Sequence, residues 1–172
     1  MIKFADASNT MLLELPDDVA KYMRRRTSRA KAKETGGILI GYYSADLNLA
    51  TVLRATGAPN DSRSGSTWFT RGIAGLDEML RRAWRADQHY LGEWHYHPGG
   101  LPEASPSDRA QMHKIASDPK MQCATPVLLI LGDLGDDPRI AAYAQRDGVF
   151  QRLATVSEIE ESAVHAGSSR AD

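Results

Sequence analysis

Leu91-Gly92-Glu93-Trp94-His95-Tyr96-His97-Pro98, followed by Ser105-Pro106-Ser107-Asp108, is the stretch on which the reading of this chain turns. The first run reads as a strand from Leu91 to His97, rich in aromatics and bounded by proline. Alternate side chains on a strand share a face, so His95 and His97 point one way and Trp94 and Tyr96 the other. Two imidazoles on one face, with one more hard ligand, make an open zinc site of catalytic type. Ser105-Pro106-Ser107-Asp108 reads as a helix start, with Ser at the N-cap, Pro at the first helical position and an acid at the third. The positive end of the helix dipole favours an ionised carboxylate there, which makes Asp108 the natural third ligand. Zinc so held lowers the pKa of a bound water to about 7. Either element alone is commonplace, the second being first of all a well-capped helix. Their order is specific: His-X-His-Pro, a Gly/Pro-rich loop, then Ser-X-X-Asp with the aspartate eleven residues after the second histidine.

That order resembles the JAMM motif of the JAB/MPN family of zinc-dependent isopeptidases, which adds a distant upstream glutamate. Glu34-Thr35-Gly36-Gly37-Ile38-Leu39-Ile40-Gly41 resembles the family's Glu-X-Gly-Gly strand entrance. Leu91 to Pro98, with Asp61-Ser62-Arg63 and Phe69-Thr70-Arg71, is similar to short bacterial members that accompany ubiquitin-activating-like and conjugating-like enzymes in antiphage operons. The resemblance spans Glu34 to Gly132 and shows no departure at the motif positions. It implies an α+β fold of three α/β/α layers, with a curved, mostly antiparallel mixed sheet flanked by helices. It implies one Zn2+ per chain on His95, His97 and Asp108, Glu34 as the proton-transferring base, and Ser105 as a donor to the oxyanion.

By strand parity alone Glu93 is a rival base, or a partner that orients a histidine or an arginine; the resemblance favours Glu34. No substrate-binding residue follows from either reading. The implied activity is hydrolysis of the amide bond after the C-terminus of a ubiquitin-like modifier or a conjugated protein, in deconjugation or precursor processing, within bacterial antiviral defence. The modifier or its target would be the substrate, and the activating-like and conjugating-like enzymes of the same operon would be partners. Two alternatives stand beside it: a protease that frees the C-terminal Gly-Gly of a sulfur-carrier protein, and an MPN scaffold without catalysis. Such scaffolds typically lack motif residues, and all five are present here.

At 172 residues the length fits one domain, read as 1–155, with 156–172 as a frayed or disordered tail. A net charge of −1 gives no global case for nucleic-acid binding. No apolar run reaches the roughly 18 residues of a membrane helix, and the N-terminus lacks a signal-peptide layout. The single cysteine, Cys123, excludes an intramolecular disulfide, fits a reducing cytoplasm and reads as buried beside Pro126 to Leu131. It has no reasoned histidine partner, and no Gly-X-Ser-X-Gly elbow occurs, so cysteine and serine protease chemistry lack support.

Along the chain, short strands are expected at 2–5 and 11–15, and a helix opening at Pro16-Asp17-Asp18. Lys21, Arg24, Arg25, Arg26, Arg29, Lys31 and Lys33 form a basic stretch, read as a solvated face with docking of an acidic partner as the alternative. Strands follow at 36–43 and 49–55, a polar loop at 57–65, and a short strand near 67–70. A helix is expected over 71–86, burying Ile73, Leu76, Leu80 and Trp84. Gly99 to Ala104 reads as a flexible loop over the site. A helix over 106–117, a strand over 127–131 and a last strand pair around Asp147-Gly148 complete the expected elements, before a frayed helix at 157–164.

Overall fold

In the computed structural model, which describes residues 1–134 and 139–157, the chain runs β1 (Ile2–Ala5), β2 (Leu12–Leu15), α1 (Asp17–Ala30), β3 (Thr35–Tyr43), β4 (Leu49–Ala55), β5 (Arg63–Ser64), β6 (Phe69–Thr70), α2 (Leu76–Arg85), β7 (His89–His97), α3 (Pro106–Ser117), β8 (Val127–Gly132), β9 (Arg139–Arg146) and β10 (Val149–Thr155). The tail and the final helix expected from the sequence lie mostly outside the described residues.

The central strand is β7. It pairs antiparallel with β3 and parallel with β8. Every residue of β8 is buried, which is why this strand is a continuous apolar run rather than an alternating one. Its side chains still divide by parity. Val127, Leu129 and Leu131 join Leu39, Leu91 and Trp94 in a cluster closed by Val19 and Met23 of α1. Leu128 and Ile130 join Ile38 and Ile40 in a second cluster, closed by Leu76 and Ala83 of α2 and by Met112 and Ile115 of α3. Trp94 is fully buried, and its indole N–H donates to the Thr56 carbonyl at 2.8 Å. Truncating it to Ala would cost about 3–5 kcal/mol.

The fold is α+β with a mixed sheet, mostly antiparallel as expected; among the described strands of that sheet only β2–β4 and β7–β8 pair in parallel. Helices cover both faces, but where three open layers were expected the sheet closes into a barrel ordered β1-β10-β9-β8-β7-β3-β4-β2. Closure comes from β1, which pairs with β2 on one side and with β10 on the other, leaving no edge strand in this sheet.

The second helix corrects the sequence reading. It begins at Leu76, later than expected, because the Asp61 carboxylate accepts hydrogen bonds from the amides of Ile73 and Ala74 and holds that segment as a turn. Ile73 therefore never joins the helix and is 75% exposed, while Trp84 is 60% exposed. The buried side is Leu76 and Ala83, with Met79 and Leu80 half-buried. Trp84 instead packs edge-on against the His89 ring at 5.0 Å.

Candidate metal centre

β7 and α3 bring His95, His97 and Asp108 together as their sequence spacing predicts. One potential ligand atom from each lies within 4.8 Å of the other two. His95 Nδ1 is 2.8 Å from Asp108 Oδ1, and His97 Nε2 is 3.8 Å from Asp108 Oδ2. Trp94 and Tyr96 point to the opposite face, into the first cluster.

Asp108 is held by the start of its own helix. Its amide donates to Ser105 Oγ, and its Oδ2 accepts from the Ser105 amide at 2.8 Å, a complete capping box. The Ser105 hydroxyl, the oxyanion donor implied by the resemblance, here donates its proton to Asp108 Oδ2 at 2.6 Å. Burial acts to raise the Asp108 carboxyl, yet the bonds from His95 and Ser105 hold it down at about 2.

His95 is clasped from both sides. Its Nε2 lies 3.3 Å from Glu93 Oε2, which leaves Nδ1 facing Asp108. Burial opposes the charged ring, but hydrogen bonds to Asp108 and Glu93 outweigh it and push the imidazole up to about 9. The donor set thus favours a positive charge at this point. A cation on Nδ1 would meet the same acceptors as the proton does, with Glu93 fixing the ring from behind. Two imidazoles, one carboxylate and an open cleft fit a divalent metal of catalytic type.

Glu93 is 2% exposed and would be costly alone. Arg71, just after β6, answers it: Nε lies at 3.0 Å and Nη2 at 2.9 Å from Oε1. Burial pushes the Glu93 carboxyl up, and the bonds from His95 and Arg71 more than reverse this. This bond network fits the orienting reading of Glu93 considered from strand parity. In the sequence Arg71 stands out only within the tripeptide Phe69-Thr70-Arg71. The available signal was a glutamate inside an apolar strand, which requires a cation from elsewhere.

Glu34 stands immediately before β3 and lines the same cleft, of ≈ 550 Å³, as His95, His97, Ser105 and Asp108. Its amide donates to the Gly65 carbonyl at 2.8 Å, tying it to the β5–β6 hairpin. Partial burial raises its carboxyl; His97 and His95 pull it back, Asp108 adds to the rise, and the net shift is upward. The adjoining Gly36 pairs with His95 across β3–β7. A Cβ there would overlap the Trp94 carbonyl oxygen and press on the rings of His95 and Phe69, each at 3.0 Å. Phe69 meets His95 edge-on at 5.8 Å.

The loop after Pro98, expected to be flexible, is tied down. Asp133 accepts from the Gly99 amide and from the Tyr96 hydroxyl. The Leu134 amide donates to Gly100, and the Tyr143 hydroxyl to Pro102. Cys123 is buried as expected, and burial pushes its thiol up to about 11 despite the Tyr43 hydroxyl beside it. No described helix is long and apolar enough to cross a membrane.

Residues 16–146 match a family described as prokaryotic homologs of the JAB domain. A "CD-NTase/cGAS isopeptidase" of Enterobacter hormaechei subsp. hoffmannii (strain UCI 50) is 40% identical over 131 residues, which are 76% of this chain and 73% of that protein. A "probable metalloprotease y4qB" of Sinorhizobium fredii (strain NBRC 101917 / NGR234) is 29% identical over 125 residues, 70% of this chain and 75% of that protein. Protein DSY2949 of Desulfitobacterium hafniense, known from a solution structure, shares the fold with a TM-score of 0.63 at 18% identity, covering 81% of this chain and 88% of that one.

Proposed function

The chain belongs to the family of prokaryotic JAB-domain homologs, and from that premise we propose that it is a JAMM-type zinc isopeptidase. It would hydrolyse the amide bond that joins the C-terminus of a modifier or a conjugated protein to a target amine. The observation that carries the reading is the convergence of Glu34, His95, His97, Ser105 and Asp108 on one open cleft. The relative named as an isopeptidase of CD-NTase/cGAS supports a nucleotidyltransferase of that kind as the conjugated protein. An antiviral setting, a cytoplasmic location, conjugating enzymes as partners and a catalytic domain over 1–155 belong to the same proposal.

One Zn2+ would be held by His95, His97 and Asp108, and it would supply a Lewis acid that lowers the pKa of water toward neutrality. Glu93 keeps His95 Nδ1 turned toward the ligand set, and Arg71 keeps Glu93 charged. The Glu34 carboxylate takes a proton from the attacking water and returns it to the leaving nitrogen; its partly buried position makes it a better base than a solvated carboxylate. The Ser105 hydroxyl, released from Asp108 by rotation about its C–O bond, donates to the carbonyl oxygen as charge builds on it. Phe69 and residues of the 99–104 loop line the cleft beside these groups.

The test is cleavage of a fusion. A CD-NTase/cGAS-like or ubiquitin-like protein would be joined at its C-terminus to a reporter. It would be treated with wild type or Glu34→Ala, the cut located by mass spectrometry and zinc measured alongside. A cut at that C-terminus by wild type only is expected. No cut and no zinc would sink the reading in favour of a scaffold.

A further inference from the structure

A second cavity, of ≈ 610 Å³, adjoins the cleft and shares Leu101 and Glu103 with it. Three guanidinium groups line it: Arg24 from α1, Arg139 from β9 and Arg152 from β10. All three are exposed, and none has an ion-pair partner among the described residues, unlike Arg71, Arg82 and Arg146, which pair with Glu93, Glu78 and Asp147. Arg29, Arg63 and Arg85 lack one too but do not line this cavity. Glu103 is the one acid among the described residues of the lining. Like charges set round a concave surface repel one another and focus a positive potential into it, a disposition that an anion relieves.

The chemistry of that anion can be narrowed. The cavity is within the roughly 300–1,000 Å³ typical of ligand pockets, much larger than a lone phosphate needs. Its base is apolar, with Ile2 and Ile140 half-buried. Phe4 is 1% exposed, so no aromatic face is open for stacking a base, which argues against a nucleotide. Guanidinium groups pair carboxylates in a two-pronged fashion, and apolar side chains can settle on the isoleucines. We propose that this cavity docks an acidic peptide segment of the protein whose C-terminus occupies the neighbouring cleft. Carboxylates would lie on Arg24, Arg139 and Arg152, and apolar side chains between them. The proposal rests on the isopeptidase reading only for which protein carries the segment.

The test needs no turnover, so its failure and that of the isopeptidase reading are separable. A fluorescein-labelled peptide of alternating glutamate and leucine would be titrated with the full chain at low salt and followed by anisotropy. Arg24→Gln/Arg139→Gln/Arg152→Gln would be compared with Arg25→Gln/Arg29→Gln/Lys33→Gln, which removes the same charge from positions outside the cavity. The expected result is a loss of affinity on the order of tenfold in the first variant, little change in the second, and binding that weakens as salt rises. Matching thermal melts would exclude misfolding. Equal loss in both variants, or no binding to wild type, would overturn the proposal; so would binding of ATP in place of the peptide.

Discussion

His95, His97, Ser105 and Asp108 make one wall of the cleft, and all stand on β7 or the start of α3, joined by a short loop. Glu34 and Ser66 to Thr70 make the other, the latter within a 61–74 segment whose regular structure is a hairpin of two-residue strands. The first wall takes its geometry from local backbone: strand parity sets the histidines, and a capping box sets the aspartate. The second takes its geometry from single side chains reaching across sequence. Asp61 holds Ile73 and Ala74, Ser62 holds the Gly72 amide, and Arg71 crosses to Glu93. The proposed metal ligands thus sit on elements that resist small changes, and the proposed base and cover sit on a segment that a few bonds keep in place.

Breaking the rigid wall has the largest expected effect. Asp108→Ala removes a proposed ligand and the carboxylate half of the capping box, while Ser105 Oγ still accepts the residue-108 amide. Metal content and cleavage should fall to background, with a stability loss of about 1 kcal/mol from the lost reciprocal bonds, read by metal analysis and a denaturant melt. Retained stoichiometric zinc would contradict the ligand assignment. Next comes Glu34→Gln. Turnover should drop roughly 10²–10⁴-fold while metal content and melting temperature stay at wild-type values; if Glu93→Gln alone did this, the base would be Glu93.

Arg71→Met asks whether the two walls are coupled. It strands the buried Glu93 carboxylate, and a destabilisation of about 3 kcal/mol is expected, with metal affinity lowered roughly tenfold or more through His95. Competition with a chromogenic chelator measures the second figure, and an unchanged affinity would show the walls to be independent.

The smallest effect belongs to Asp61→Asn. Amide exchange at Ile73 and Ala74 should quicken, with the melting temperature unchanged. The same bonds predict a pH response. Bonds from the Ile73 and Ala74 amides hold Asp61 below its ordinary 3.8. Their contribution is therefore full above that value and is lost as pH falls through the lowered native value. Exchange at the two amides, corrected for its intrinsic pH dependence, should then rise in wild type and not in the variant.

The sequence by itself determined what lies within a few residues of its cause. His95 and His97 face one way because a strand alternates, and Ser105 caps because the first amides of a helix need an acceptor. Val127 to Leu131 is buried because no polar side chain interrupts it. Family resemblance added Glu34, whose own surroundings in the sequence gave no reason to choose it. Tertiary structure decided everything that depends on a distant partner. Phe4 pairs with Thr155 to close the barrel, and no local pattern encodes a partner that far along the chain. Ile73 and Trp84 fit a helical stripe by spacing, yet Ile73 faces solvent because Asp61 delays the helix, and Trp84 is exposed with its ring edge-on against His89. Arg71 finds Glu93, Asp133 finds Gly99, and Arg24, Arg139 and Arg152 gather round one cavity, each from a different element. Propensity and periodicity act over one or two turns of chain. Hydrogen bonds and ion pairs between remote side chains exist only once packing has brought their elements together.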